Sequence, residues 1–221
     1  MGFTMGNHIG MNAPNIFMVM FMIGIIAESM TGVISSSRRN MDAFGVIAIA
    51  LTTALGGGIV RDVLLGNLPV SIILNPHYIV ICLFFATVAV FTHKYINKFH
   101  KLFLVLDSIG LIAFAYIGAG IAYTICTEAY HMKFAGVLVV GTLIAVLNGV
   151  AGGIMRDMMC NDIPVAFNSE LYASVAAIVG AMTIIFRYVD VNIYISAGII
   201  IGIGLSVRVS AIIYKWTLPV I

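Results

Sequence analysis

The chain has 221 residues, 62% of them apolar and only 9% charged, with a mean hydropathy of +1.11. A soluble domain carries roughly 45 to 50% apolar and about 25% charged residues, so this composition excludes one and specifies a membrane protein. The formal net charge is +2 and the Lys and Arg residues are scattered, which gives no sign of a nucleic-acid surface or a polybasic lipid-binding tail.

Residues 1–14 are polar, Gly- and Asn-rich, and lack Lys, Arg, Asp and Glu. No basic segment precedes the first apolar run and no small-residue cleavage site follows it, so that run is expected to stay in the protein. A spanning helix takes about 20 residues. Apolar runs of that order lie at 15–34, 44–65, 78–92, 102–126, 134–159, 171–186 and 191–213. They predict an all-α membrane protein with seven transmembrane helices, a single membrane domain over residues 1–221.

Orientation follows from the short loops, because cationic loops stay on the cytoplasmic side. Arg38 and Arg39 follow span 1, Lys94, Lys98 and Lys101 lie between spans 3 and 4, and Lys215 follows span 7. Opposite them stand Lys133 and Arg187. The N-terminus is expected outside and the C-terminus in the cytoplasm.

A shift of 95 residues lays Gly57-Gly58-Ile59-Val60-Arg61-Asp62 on Gly152-Gly153-Ile154-Met155-Arg156-Asp157, and Pro69-Val70 on Pro164-Val165. Each copy sits in the middle span of a three-helix unit, residues 15–92 and 102–186, with a seventh helix at 191–213 left over. Three is odd, so the second unit runs through the membrane in the opposite sense. This predicts two inverted three-helix repeats plus a seventh helix, an arrangement that places a site near the midplane.

Consecutive glycines weaken a helix by about 1 kcal/mol each relative to alanine. A break there frees carbonyls that lipid cannot satisfy. Gly56, Gly57 and Gly58 in span 2, with Gly152 and Gly153 in span 5, are therefore expected to break their helices and offer carbonyl oxygens to a cation. The competing reading is close helix packing, as for Gly149 with Gly153 or Gly198 with Gly202. Two symmetric runs, each followed by Arg-Asp, favour the pathway.

Arg61 and Arg156 would each cost about 2.5 to 3.5 kcal/mol at a helix centre unless paired or wetted. Helix neighbours do not face one another, so the symmetry suggests crossed pairs, Arg61 with Asp157 and Arg156 with Asp62. Arg61 is expected toward the outer mouth and Arg156 toward the inner one, as gates or as structural clamps. Glu28, in the inner half of span 1, and Asp107, a little over one turn into span 4, are candidates for a cation-attracting vestibule or for local structural acids. Asp107 favours the structural reading because it can snorkel to the interface. Arg208 is expected at the cytoplasmic headgroups.

His77, His93, His100 and His131 read as interfacial residues without metal-ligand spacing, and no metal or cofactor is expected. Tyr78, Tyr95, Tyr172, Tyr188, Tyr214 and Trp216 sit near span ends, as an aromatic belt does. Cys82, Cys126 and Cys160 read as ordinary thiols. Methionines and phenylalanines are spread along the spans as packing. No nucleophile triad, phosphate loop or carboxylate pair at mid-depth appears, so an enzyme is the poorest class.

Two groups of stretches carry a family resemblance. The first is Arg39-Asn40-Met41-Asp42-Ala43-Phe44-Gly45-Val46 with Leu55-Gly56-Gly57-Gly58-Ile59-Val60-Arg61-Asp62-Val63-Leu64-Leu65-Gly66. The second is Leu106-Asp107-Ser108-Ile109-Gly110-Leu111 with Gly152-Gly153-Ile154-Met155-Arg156-Asp157 and Glu170-Leu171-Tyr172-Ala173. Together they resemble the bacterial inner-membrane family whose repeated domain is called the glycine-transporter domain. That family is similar in fold to the trimeric intracellular cation (TRIC) channels, and the match runs from about residue 17 to 215. The resemblance implies a homotrimer with a pore inside each protomer, lined by kinked spans 2 and 5, and potassium as the main permeant ion with sodium also passing. The phosphoinositide-binding Lys-Glu-Val stretch of the animal channels is absent, and span 4 has no basic residue in its interior.

Two functions compete. One is a passive monovalent cation channel, which needs the arginines paired so that they do not repel the ion. The other is a secondary transporter for glycine or a similar zwitterion, whose two charges a paired Arg and Asp would hold. A structural scaffold would leave both glycine runs unexplained.

Overall fold

The computed structural model describes residues 15–39, 41–96, 100–168 and 171–216. Residues 1–14, Asn40, Lys98 and Glu170, which figure above, lie outside the described residues, as do the side chains of His93, Lys94, Tyr95, His100 and Lys101. The elements are α1 (Asn15–Ser37), α2 (Ala43–Leu64), α3 (Ser71–Leu74), α4 (His77–Ile96), α5 (His100–Glu128), α6 (Phe134–Met159), α7 (Val165–Asn168), α8 (Tyr172–Tyr188) and α9 (Ile193–Tyr214). Among the described residues there is no strand. Each apolar run becomes one long helix, with ends within a few residues of those expected. The one-turn helices α3 and α7 fall in links between those runs. Helices α1, α2, α5, α6 and α9 are long and apolar enough to cross a membrane, whereas the apolar stretches of α4 and α8, His77–Thr92 and Tyr172–Tyr188, are shorter.

Local chemistry sets the helix ends. Asp42 caps α2 by accepting a hydrogen bond from the Gly45 amide at 2.8 Å. Past the other end of α2, Gly66 adopts φ 64°, and past α6, Asn161 adopts φ 56°. The next amides, of Asn67 and Asp162, donate back to the carbonyls of Asp62 and Asp157, each at 2.8 Å. Both ends are Schellman motifs, which satisfy carbonyls the helix would otherwise leave open. Glycine and asparagine are the residues that enter the left-handed region most readily.

Helix α5 lies at the centre. From Leu111 to Ile117 no residue is more than 5% exposed, the mark of a helix covered on every side. It packs against α1, α6, α8 and α9.

Helices α2 and α6 cross through their glycine runs. A Cβ on Gly57 would collide with the Asn148 carbonyl, and one on Gly152 would collide with the Thr53 carbonyl. The contacting pairs are related by the same 95-residue shift as the motif. Along α2 the contacts run from Thr53 to Gly57 and along α6 from Gly152 back to Asn148, so the two helices are antiparallel.

The glycine runs do not interrupt the helices. Both α2 and α6 are continuous through them, which corrects the expectation of broken helices with freed carbonyls. Close approach of two backbones requires a missing side chain on each, and Gly57 and Gly152 supply it. Gly149 also packs inside the chain, with a Cβ position 3.0 Å from the Leu111 carbonyl, while Gly198 and Gly202 face open space.

Candidate functional site: two buried ion networks

Because α2 and α6 are antiparallel, Arg61 and Arg156 lie beyond the crossing at opposite ends of the bundle. Both are in the last turn of their helices, and neither is more than 1% exposed. A guanidinium so deep is tolerable only when its charge is met by a partner.

At one end, Arg61 Nε donates to Asp62 Oδ1 at 2.8 Å and its Nη2 donates to Ser71 Oγ at 3.2 Å. Asp62 Oδ1 also accepts from Asn67 Nδ2 at 3.2 Å, and Oδ2 accepts from the Ser71 amide at 2.7 Å. The carboxylate thereby ties the end of α2 to the start of α3.

At the other end, Arg156 Nε donates to Asp157 Oδ1 and Nη1 donates to Asp107 Oδ1, both at 2.7 Å. Glu28 Oε2 lies 3.8 Å from Nη1 and accepts from Thr31 Oγ1 at 2.9 Å. Asp157 Oδ2 accepts from the Val165 amide at 2.9 Å, tying α6 to α7. The Arg156 guanidinium lies 4.9 Å above the Phe103 ring, a further favourable seat for a cation.

The expected crossed pairs, Arg61 with Asp157 and Arg156 with Asp62, are therefore wrong. Each arginine pairs with the aspartate next to it in sequence. The rule against neighbours facing one another concerns positions inside a regular helix. Here each aspartate stands in the final turn and turns toward the incoming amide of the next segment. The long arginine side chain folds along the helix to meet it.

Asp107 does not reach the interface either. It is fully buried and bonded to Arg156. Arg208, expected at the headgroups, is fully buried with its guanidinium 4.8 Å above the Tyr172 ring. Arg187 donates to the Gly120 carbonyl at 3.0 Å and lies 5.3 Å above the rings of Phe17 and Tyr123.

The structure thus gathers Glu28, Asp107, Arg156 and Asp157 at one end and sets Arg61 and Asp62 at the other, with Gly56, Gly57, Gly58, Gly152 and Gly153 between. Phe103, Thr31 and Ser71 belong to these networks and were not singled out by sequence, while Tyr172, expected in an interfacial aromatic belt, is instead buried at 2% exposure beside them. Val165 had a signal, since Pro164-Val165 is part of the repeat, but nothing in the spacing showed that its amide serves Asp157. The cysteines Cys82, Cys126 and Cys160 are free and buried.

The family model described as glycine transporter matches this chain in two stretches, residues 18–94 and 104–188. The chain belongs to the glycine-transporter family. It is 29% identical to the UPF0126 inner membrane protein YadS of Escherichia coli K12 over 200 residues, covering 89% of this chain and 92% of that one. A UPF0126 membrane protein of Deinococcus radiodurans is 34% identical over 158 residues, 71% of this chain and 69% of the relative.

Among solved structures, one described under conductance through TRIC cation channels superposes with a TM-score of 0.80 at 29% identity, covering 93% of this chain and 97% of that one. A prokaryotic TRIC channel in 0.5 M KCl superposes with a TM-score of 0.80 at 27% identity, covering 92% and 99%. The fold of this family member is TRIC-like. Family and fold are those of multi-pass membrane channels and transporters, not of enzymes.

Proposed function

We propose that this protein is a monovalent cation channel, conducting potassium chiefly and sodium as well. Its pathway lies within each protomer, lined by α2 and α6. The observation that carries the reading is the likeness of nearly the whole chain to structures described as TRIC cation channels. In this reading the chain crosses the membrane seven times as one domain, with inverted repeats at residues 15–92 and 102–186 and the seventh helix at 191–213. The two stretches matched by one family model and the antiparallel crossing of α2 with α6 support that arrangement. The 17 residues of α8 lie at the short end of what a span needs, about 17 to 25.

The protein then sits in a bacterial inner membrane as a homotrimer, N-terminus outside and C-terminus in the cytoplasm, with no cofactor besides the permeant ions. Gly56, Gly57 and Gly152 hold the crossing together, while Gly58 and Gly153 line the pathway. The nearest atoms to a Cβ on Gly58 and Gly153 include Nη2 of Arg61 and of Arg156, at 3.8 Å and 3.6 Å. The pairs Arg61 with Asp62 and Arg156 with Asp157 act as gates at the two ends, their charges neutralised so that they do not repel a cation. Glu28 and Asp107 attract cations from the cytoplasmic side.

The family's description as glycine transporter favours a second reading, uptake of glycine. Flux from purified protein in liposomes separates the two. Potassium-driven single-channel steps without saturable entry of radiolabelled glycine are expected. Saturable glycine entry without steps would overturn the channel.

A further inference from the structure

The network around Arg156 is short of positive charge. Three carboxylates, of Glu28, Asp107 and Asp157, meet this one guanidinium. Asp157 is satisfied at both oxygens, by Arg156 and by the Val165 amide. Asp107 and Glu28 are not. Asp107 Oδ2 and Glu28 Oε1 are buried without a hydrogen-bond partner, in side chains at most 3% exposed. An ionised oxygen removed from water and left without a partner is among the costliest arrangements in a protein.

The two oxygens belong to one locality. A Cβ on Gly110 would collide with Glu28 Oε1, so this oxygen rests on the surface of α5 at Gly110. Asp107 lies three residues earlier, on the same face of that helix. A further element reaches the same end. The Tyr172 hydroxyl of α8, in a residue 2% exposed, reaches toward Asp107 without closing a hydrogen bond of good geometry. It stops 3.5 Å from the Cβ position of Gly153, which is 3.6 Å from Arg156 Nη2. Arg208 stands over the ring of this same tyrosine.

We propose that this cluster binds a monovalent cation, with Glu28 and Asp107 as its carboxylate ligands and the Tyr172 hydroxyl as a neutral oxygen ligand. Hard oxygen donors replace the hydration shell of an alkali cation. Arg156 stands among the carboxylates and offsets part of their charge. The arrangement therefore suits a singly charged ion held weakly enough to leave. The proposal rests on the channel reading and names where an ion pauses on the pathway.

The test is thermal stability of the purified full-length protein in detergent, at one pH and one ionic strength, in KCl, NaCl or N-methyl-D-glucamine chloride. A saturable rise in Tm with potassium or sodium over the organic cation is expected. Glu28→Gln, which keeps the size and the Thr31 hydrogen bond, should weaken apparent potassium affinity by about tenfold or more, with unchanged elution and helical content. Tyr172→Phe should weaken it less, and it decides the matter if Glu28→Gln does not fold.

Equal Tm in all three salts would overturn the proposal. So would variants that respond as the wild type does, or a Tm that follows pH but not the cation, which would give the cluster a proton instead. Potassium-dependent stabilisation without current in liposomes would leave the site standing and remove the channel. Current without such stabilisation would do the reverse.

Discussion

A glycine in a helix is explained by what a side chain would strike, and the glycines here divide on that ground. Alanine at Gly57 or Gly152 meets a backbone carbonyl of the partner helix, which cannot rotate away. Each of these substitutions is expected to cost about 1 to 3 kcal/mol as overpacking. At Gly198 nothing lies within 4 Å, so alanine there should leave protomer melting unchanged or raise it slightly through helix propensity. Melting of the three variants in detergent checks this, and a Gly57→Ala protein that melts like wild type would refute the crossing. The same reasoning separates the arginines. Arg156→Ala leaves Asp107 and Asp157 buried beside a lost charge and is expected to cost about 3 to 5 kcal/mol. Arg39 pairs with Asp162, but both side chains are more than 40% exposed, so Arg39→Ala should cost at most about 1 kcal/mol. Equal losses of folded protein from the two variants would contradict this difference.

At the scale of the element, the ends of α2 and α6 are the parts that carry geometry. Both end in a left-handed residue followed by a carboxylate-anchored link. Gly66→Ala should cost roughly 1 to 2 kcal/mol because alanine resists that conformation. Asn161→Gly should be neutral or mildly stabilising, for the same reason read backwards. Melting of these two variants checks the motif, and a stabilised Gly66→Ala protein would exclude it. The helices themselves were legible in the sequence, because runs of apolar residues between polar links have few other solutions in lipid. The pairing of charges was not. The 95-residue repeat marked Arg61, Asp62, Arg156 and Asp157 as special, yet symmetry alone suggested that each would reach across to the other copy. Their partners depend on how the link after each helix folds back, with the Ser71 and Val165 amides claiming one oxygen of each aspartate. Those links are short, carry little pattern, and hold the one-turn helices that periodicity cannot detect. Asp107 escaped for a related reason. Its depth was judged from its distance to the end of the apolar run, but burial depends on the neighbouring helices, and α6 brings Arg156 directly onto it.

At the scale of the molecule, the two stretches matched by the family model, residues 18–94 and 104–188, do not form separate bodies. Helix α1 packs on α5 and α2 packs on α6. Glu28 of the first unit faces Arg156 of the second, and each glycine of the crossing has its counterpart in the other unit. Either unit alone would expose a buried carboxylate or guanidinium and a glycine-lined groove to lipid, which offers no polar partner. The residues that make these contacts all lie outside the link between α4 and α5. A chain divided at that link is therefore expected to assemble when both halves are made together, with the tagged first half retaining the second through purification in detergent. Made singly, each half should be degraded or aggregated. A first half that accumulates alone as a folded, monodisperse protein would show two domains where the packing requires one. Repeating the co-expression with Gly57→Ala and Gly152→Ala in opposite halves extends the test. Both substitutions push on the same helix crossing, so their combined loss of recovery should fall short of the sum of the single losses, as it does for positions sharing one contact. Additive losses would place the two glycines at independent contacts and separate α2 from α6.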